Sequence, residues 1–95
     1  MTVQIEKYKK VFQSLGYDTE RSAALILRTQ LLLELKNQLE QHNWSQLEAA
    51  ERLGVKQPRI SEIQRLRIDK FSVELLIRYL RRLDKEVEFK VRDAD

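Results

Sequence analysis

The side chains best suited to chemistry lie in one short polar stretch, residues 57–65. Gln57 is of the type that pairs bidentately with adenine in the major groove of DNA, Arg59 of the type that pairs with guanine, and Glu62 can accept from cytosine. Ser61 can donate to a base or to a phosphate. These residue types indicate nucleic-acid recognition. An ordinary solvated helix surface is the alternative, and Glu62 can equally be structural or reject unwanted bases, because phosphates repel it.

The basic charge of the chain is concentrated around this stretch. The 95 residues include 18 Lys and Arg against 15 Asp and Glu, a net charge of +3. Residues 56–82 hold eight basic and three acidic side chains, a net charge of +5, which leaves −2 for the rest of the chain. Such an asymmetry within one small domain suggests a basic face for phosphate backbones or for an acidic partner.

The composition argues against catalysis. The chain has no Cys and a single histidine, His42, with no paired carboxylate or Gly-rich phosphate loop near it. Metal ligands at usable spacing are also missing, so we expect no enzymatic activity, no metal and no cofactor. No apolar stretch approaches the roughly 20 residues that a membrane span needs. A cytoplasmic, nucleoid-associated protein is therefore expected.

Two short helices on either side of a tight turn are predicted to position the polar stretch. Ser45, with Glu48 three residues later, forms a capping box that starts the first helix. Gly54 suits the left-handed residue that ends it, and Pro58 suits the first position of the second helix. The buried sides of this helix-turn-helix are expected to consist of Ala49, Ala50, Leu53, Ile60 and Ile63.

The surrounding elements are predicted to be mainly helical. Apolar residues recur at helical spacing over residues 7–15 and 20–42, and Ser72 caps a further helix. Alternating side chains over residues 86–92 predict a half-buried strand. We therefore predict one mainly α domain over residues 1–95, a five-helix-type bundle with an N-terminal extension at 1–20, a helix-turn-helix motif at 45–65 and a short C-terminal strand at 86–92.

Two surfaces have no evident cover in the sequence. Ile26 and Leu33 fall nearly opposite the main leucine stripe of the long helix, so either residues 8–15 or another polypeptide must cover them. The C-terminal strand must pair with the segment around Val3 and Ile5, with the same strand of a second subunit, or with another protein.

The segment SQLEAAERLGVKQPRISEI, residues 45–63, resembles the helix-turn-helix of the Cro and phage-repressor type, commonly called the Xre family. Gln46 stands at the start of the first motif helix, and Gly54 stands in the turn. The resemblance implies a lambda-repressor-like fold. It also implies that Gln57 and Arg59 contact base edges and that Gln46 contacts a phosphate.

Residue types and resemblance together give an expected DNA interface. A single motif buries too little for a specific complex, so we expect a homodimer on a palindromic operator with half-sites about one helical turn apart. Basic residues that flank the second motif helix suit phosphate contacts. The predicted base contacts are Gln57, Arg59, Ser61 and Glu62, and the predicted phosphate contacts are Gln46, Lys56, Arg65, Arg67 and Lys70.

One position departs from the family pattern. The residue after Arg65 is usually Gly in such sequences, because the second helix ends there in a left-handed conformation, but here it is Leu66. That conformation costs leucine about 1 kcal/mol or more. The sequence therefore predicts that either the turn differs or the helix continues.

The resemblance extends to small helix-turn-helix antitoxins of the HigA type. It is carried by RIDKFSVELLIRYLRRLDKEVEFKV, residues 67–91, with the long helix and the FQSLGYD segment. It implies a dimer that represses its own operon and binds a RelE-like RNase toxin, as the antitoxin of a type II toxin-antitoxin pair. Two alternatives stay open: an interaction module that masks a toxin, with DNA binding secondary, and a stand-alone Xre-type regulator.

Overall fold

The computed structural model describes residues 14–16, 19–91 and 93 of the chain. These residues contain four α-helices and one short 3-10 helix. None of these helices combines the length and apolarity needed to cross a membrane. The elements in chain order are α1 (Thr19–Gln41), α2 (Gln46–Leu53), α3 (Gln57–Gln64), the 3-10 helix (Ile68–Lys70) and α4 (Val73–Arg82).

The starts of the shorter helices follow the capping signals in the sequence. The Ser45 hydroxyl accepts from the Glu48 backbone N–H at 3.1 Å, and the Ser72 hydroxyl accepts from the Leu75 N–H at 3.1 Å. α3 has no side-chain cap and begins with Pro58 in its first turn, where a missing N–H is harmless. The caps predicted at Ser45 and Ser72 are therefore confirmed, and α3 begins at Gln57, one residue before the predicted start at Pro58.

A leucine-rich core joins all four helices. α1 packs against α3 and α4, and α2 packs against α3 and α4. α3 thus packs on both α1 and α2, with its apolar side inward. The fully buried core side chains are Leu31, Leu32 and Leu35 of α1, Leu53 of α2, Ile60 and Ile63 of α3, and Leu76 and Leu80 of α4.

The joint between α1 and α2 is built on aromatic rings. His42 and Trp44 stack with their ring centres 4.0 Å apart and their planes within 3°. Arg52, which lies on α2, places its guanidinium 5.4 Å from the centre of the Trp44 ring. Trp44 also packs against the core cluster, so this ring connects the end of α1 to the start of the helix-turn-helix.

Two expectations about the ends of the chain change with the structure. Ile26 is fully buried while Leu33 is 40% exposed, so the two residues do not share one covered face. The helix expected over residues 7–15 lies outside the described residues except at its end. Of the strand predicted over residues 86–92, the described residues 86–91 contain one isolated β-bridge residue, Glu88, and no run of paired residues, so the strand is not confirmed. The described residues hold four α-helices, and the fifth predicted helix, over residues 7–15, falls almost entirely outside them.

Candidate nucleic-acid interface

The turn between α2 and α3 fixes the angle between these two helices. Gly54 has a φ of 71°, its N–H donates to the Glu51 carbonyl at 3.3 Å, and the Val55 N–H donates to the Ala50 carbonyl at 2.9 Å. This pair of bonds is the Schellman motif, which satisfies the last free carbonyls of a helix. Ala49 is 4% exposed and its small side chain allows α3 to approach closely. The predicted helix-turn-helix is therefore present.

The buried isoleucines of α3 define which of its side chains face outward. Ile60 and Ile63 are fully buried, and successive residues of a helix are about 100° apart. The flank of α3 that faces α2 carries glutamines, and the flank that faces α4 carries Arg59. The positions opposite the two isoleucines are Pro58 and Arg65, which are exposed, and Ser61 and Glu62, which are half-buried.

Three glutamines link the predicted phosphate contact on α2 to the predicted base contact on α3. Gln57 Nε2 donates to Gln46 Oε1 at 3.4 Å, and Gln46 Nε2 donates to Gln64 Oε1 at 2.8 Å. All three side chains are exposed. Within the described residues Gln57 keeps its Oε1 and one amide proton free, which is the pair of groups that adenine requires.

Gln64 is a site residue that the sequence reasoning missed. Its signal is its spacing, because residues seven apart lie on the same side of a helix and Gln57 is seven residues earlier. Its bond to Gln46 holds that amide in place from the opposite end of α3. The two predicted contacts, Gln46 and Gln57, are therefore part of one hydrogen-bonded chain that includes Gln64.

Arg59 points away from the outer face of α3 and toward α4. Its Nε donates to the Tyr79 hydroxyl at 3.3 Å, and its guanidinium lies 4.5 Å from the centre of the Phe71 ring. Its NH1 is 3.7 Å from Glu62 Oε1, and its side chain is 26% exposed. Stacking of a guanidinium on a ring contributes roughly 0.5 to 2 kcal/mol. A base contact from Arg59 would require it to leave these partners.

The aromatic pair beneath Arg59 was not singled out from the sequence. Phe71 and Tyr79 meet edge to face, with their ring centres 6.5 Å apart. Arg82 lies 5.4 Å above the Tyr79 ring, and its NH1 donates to the Leu53 carbonyl at 2.7 Å. α4 thereby holds both motif helices, since it contacts Arg59 of α3 and caps the end of α2.

Exposed basic side chains surround α3, as predicted. Lys56 precedes α3, Arg65 follows its last residue, and Lys70 lies on the 3-10 helix; all three side chains are exposed. The side chain of Arg67 is 45% exposed, and its Nε lies 3.5 Å from Asp69 Oδ1. The hydrogen bond from Arg67 lowers the pKa of the Asp69 carboxyl, and the charges of Arg67 and Lys70 add to this effect. Arg67 is therefore the one predicted phosphate contact of these four that has a carboxylate partner among the described residues.

The end of α3 corrects both alternatives offered for Leu66. The helix ends at Gln64, and Leu66 itself adopts the left-handed conformation, with a φ of 54°. The Leu66 N–H donates to the Ile63 carbonyl and the Arg67 N–H to the Glu62 carbonyl, both at 3.0 Å, which is again the Schellman motif. The half-buried leucine side chain packs against the core. This packing offsets the cost of the conformation, so the turn is conserved in geometry without glycine.

These features define a DNA-binding protein of the helix-turn-helix class. The model of a family described as "Helix-turn-helix domain" matches residues 11–92, so the chain belongs to that family. A solved chain described as "Putative XRE Family Transcriptional Regulator" is 32% identical, with a TM-score of 0.69, over 75% of this chain and 80% of that one. A search of the curated proteins finds no match. The helix-turn-helix is thus of the Xre type, and the chain is a DNA-binding transcriptional regulator and not an enzyme.

Proposed function

We propose that the chain is a sequence-specific repressor that reads a palindromic operator as a homodimer. The observation that carries this proposal is the outer surface of α3, where polar side chains are flanked by exposed basic residues. On this proposal Gln57, Ser61 and Glu62 meet base edges. The proposed phosphate contacts are Gln46, Lys56, Arg65, Arg67 and Lys70.

The glutamine chain supports the assignment of α3 as the reading helix. Gln46 is hydrogen-bonded at both ends of its amide, to Gln57 and to Gln64. Its orientation is thus set before DNA arrives, and fixing a contact group in advance lowers the entropy cost of binding. Two such motifs, related by the twofold axis of a dimer, would face half-sites about one helical turn apart.

Selection of DNA fragments from a random pool by the purified chain tests this proposal. A palindrome with half-site centres about 10 base pairs apart is the expected product. If six to eight phosphates are neutralised per dimer, log affinity falls with log salt at a slope of about −5 to −7. A pool with no enriched sequence would overturn the proposal. An affinity that does not change with salt would contradict the proposed phosphate contacts.

A role as the antitoxin of a type II toxin-antitoxin pair is the second candidate. Its support is the apolar surface of the C-terminal segment, where Phe89 is 51% exposed and Val91 is 98% exposed, together with the resemblance to HigA-type antitoxins. Exposed apolar side chains on an extended segment suit the addition of a partner strand. The partner on this proposal is a RelE-like RNase toxin.

Co-expression with such a toxin, encoded beside the gene for this chain, separates the readings. An antitoxin restores growth, and replacing Phe89 and Val91 by serine abolishes the rescue while operator binding is retained. If the chain protects the operator but does not rescue growth, the result would favour a stand-alone regulator. If the chain rescues growth but does not protect the operator by itself, the result would favour an interaction module in which DNA binding is secondary.

A further inference from the structure

We infer that Arg59 does not read a base and instead holds Glu62, which does. This inference rests on the proposed function. Arg59 is then a positioning residue, and its effect on DNA recognition passes through the Glu62 carboxylate. The expected contact of that carboxylate is the amino group of cytosine, for which glutamate is a suitable acceptor.

The first step of the argument is the number of partners that already occupy Arg59. Phe71 covers one face of its guanidinium, Tyr79 accepts from Nε, and Glu62 lies beside NH1. These partners come from the segment after the 3-10 helix, from α4 and from α3, so movement of the side chain toward DNA would break contacts with all of them. Tyr79 is only 5% exposed, and its hydroxyl would lose the partner that the structure gives it.

The second step is electrostatic. Glu62 lies on the side of α3 opposite the buried isoleucines, where DNA phosphates would approach, and its side chain is half-buried, 22% exposed beside Arg59 at 26%. A lone carboxylate at such a place is repelled by the phosphates. The arginine charge 3.7 Å away opposes that repulsion, and it persists at every physiological pH because arginine does not lose its proton.

The third step concerns orientation. The stacked and hydrogen-bonded guanidinium is fixed, so it offers Glu62 a charge at a constant position. A carboxylate held in this way meets its base with little loss of side-chain freedom. Removal of Arg59 should therefore both weaken binding and broaden the preference at the base pair that Glu62 reads.

A double-mutant cycle over Arg59→Met and Glu62→Gln tests this inference. Methionine keeps an unbranched stem against Phe71 and removes only the charge and the donors. Each variant is offered the random DNA pool, and its affinity for the operator selected by the unmodified chain is measured. We expect Arg59→Met alone to weaken binding about tenfold and to broaden the same base pair as Glu62→Gln. In the Glu62→Gln background, Arg59→Met should change affinity less than about twofold.

The matched control is Arg78→Met. Arg78 is an exposed arginine of α4 whose NH2 lies 2.8 Å from Glu74 Oε1, so the change removes the same charge without touching Glu62. It should show no coupling to Glu62→Gln. Urea unfolding of every variant separates loss of the fold from loss of recognition.

Loss of guanine preference at a separate base pair, equally in both backgrounds, would overturn the inference and make Arg59 a base contact. Additive losses of affinity would overturn it as well. In either case the unmodified chain still selects an operator, so the proposed function survives. If the unmodified chain enriches no sequence, the proposed function fails and the inference fails with it.

Discussion

The two motif helices are followed by the same backbone conformation, but a different residue adopts it in each case. The left-handed residue that follows α2 is Gly54, with a φ of 71°, and the left-handed residue that follows α3 is Leu66, with a φ of 54°. Both turns close with the two backbone hydrogen bonds of a Schellman motif. Since the geometry is shared, the side chain and its surroundings must account for the difference in residue.

The surroundings of the two positions are opposite. Gly54 is exposed, and a Cβ placed on it would lie 3.5 Å from Arg82 NH1, an ordinary contact distance. Glycine is thus favoured there by the positive φ and not by lack of space. Leu66 is half-buried and packs on the core, so its side chain contributes apolar burial that glycine cannot supply. The comparison teaches that a left-handed position can be kept by leucine where that position faces the core.

The largest expected effect comes from Leu66→Ala. The variant keeps the unfavourable φ and loses the packing, so the free energy of unfolding should fall by about 2 kcal/mol in urea unfolding followed by circular dichroism. Leu66→Gly is the matched variant, since it loses the same packing but accepts the φ. It should be more stable than Leu66→Ala by about 1 kcal/mol. The reverse order of the two would show that Leu66 is not held in the left-handed conformation.

Gly54→Ala is expected to have the next largest effect, a loss of about 1 kcal/mol. Its reason is conformational alone, because the new methyl group meets no backbone and has room beside Arg82. The same urea experiment measures it. In an Arg82→Ala background the loss should be unchanged, and a loss that disappears there would mean that contact with Arg82 and not φ had caused it.

Arg82→Met should cost slightly less, about 0.5 to 1 kcal/mol. It removes the hydrogen bond of 2.7 Å to the Leu53 carbonyl, which lies at the end of α2 just before Gly54. Arg81→Met, at a neighbouring exposed position of α4, provides the control for loss of charge. Equal losses in the two variants would show that the bond to Leu53 contributes nothing measurable.

The smallest expected effect is a gain. Asp84 follows α4 with a φ of 60°, so it is another left-handed helix end, and its negative charge lies at the unfavourable end of the helix dipole. Asp84→Asn keeps a side chain that tolerates this φ and removes the charge. Stability should rise by roughly 0.3 kcal/mol at low salt, and the gain should shrink in 1 M salt. A gain that salt does not reduce would point to a conformational cause.

The central motif could be predicted from the sequence because its signals are local. Ser45, Gly54 and Pro58 each act within a few residues of themselves, and the spacing of Ile60 and Ile63 gives the buried side of α3. Leu66 could not be predicted in the same way. Whether its side chain reaches the core depends on the placement of other helices.

The same distinction between local and distant contacts holds for the site residues. The basic residues around α3 are exposed, as their positions in the sequence predicted, whereas two of the three partners of Arg59, Phe71 and Tyr79, lie 12 and 20 residues further along the chain. From residue type alone, an arginine near the start of α3 is predicted to contact a base. Only the packing of α4 on α3 reveals that its guanidinium already has a ring, a hydroxyl and a carboxylate as neighbours.

The stack of His42 on Trp44 gives this protein an optical reporter of its own. Trp44 is the only tryptophan in the chain, so the indole emission belongs to one known place, the joint between α1 and the helix-turn-helix. Separation of the two rings would change both the brightness and the colour of that emission. Movement of the motif relative to the long helix, for example when DNA is added, can thus be followed by fluorescence without a label or a substitution.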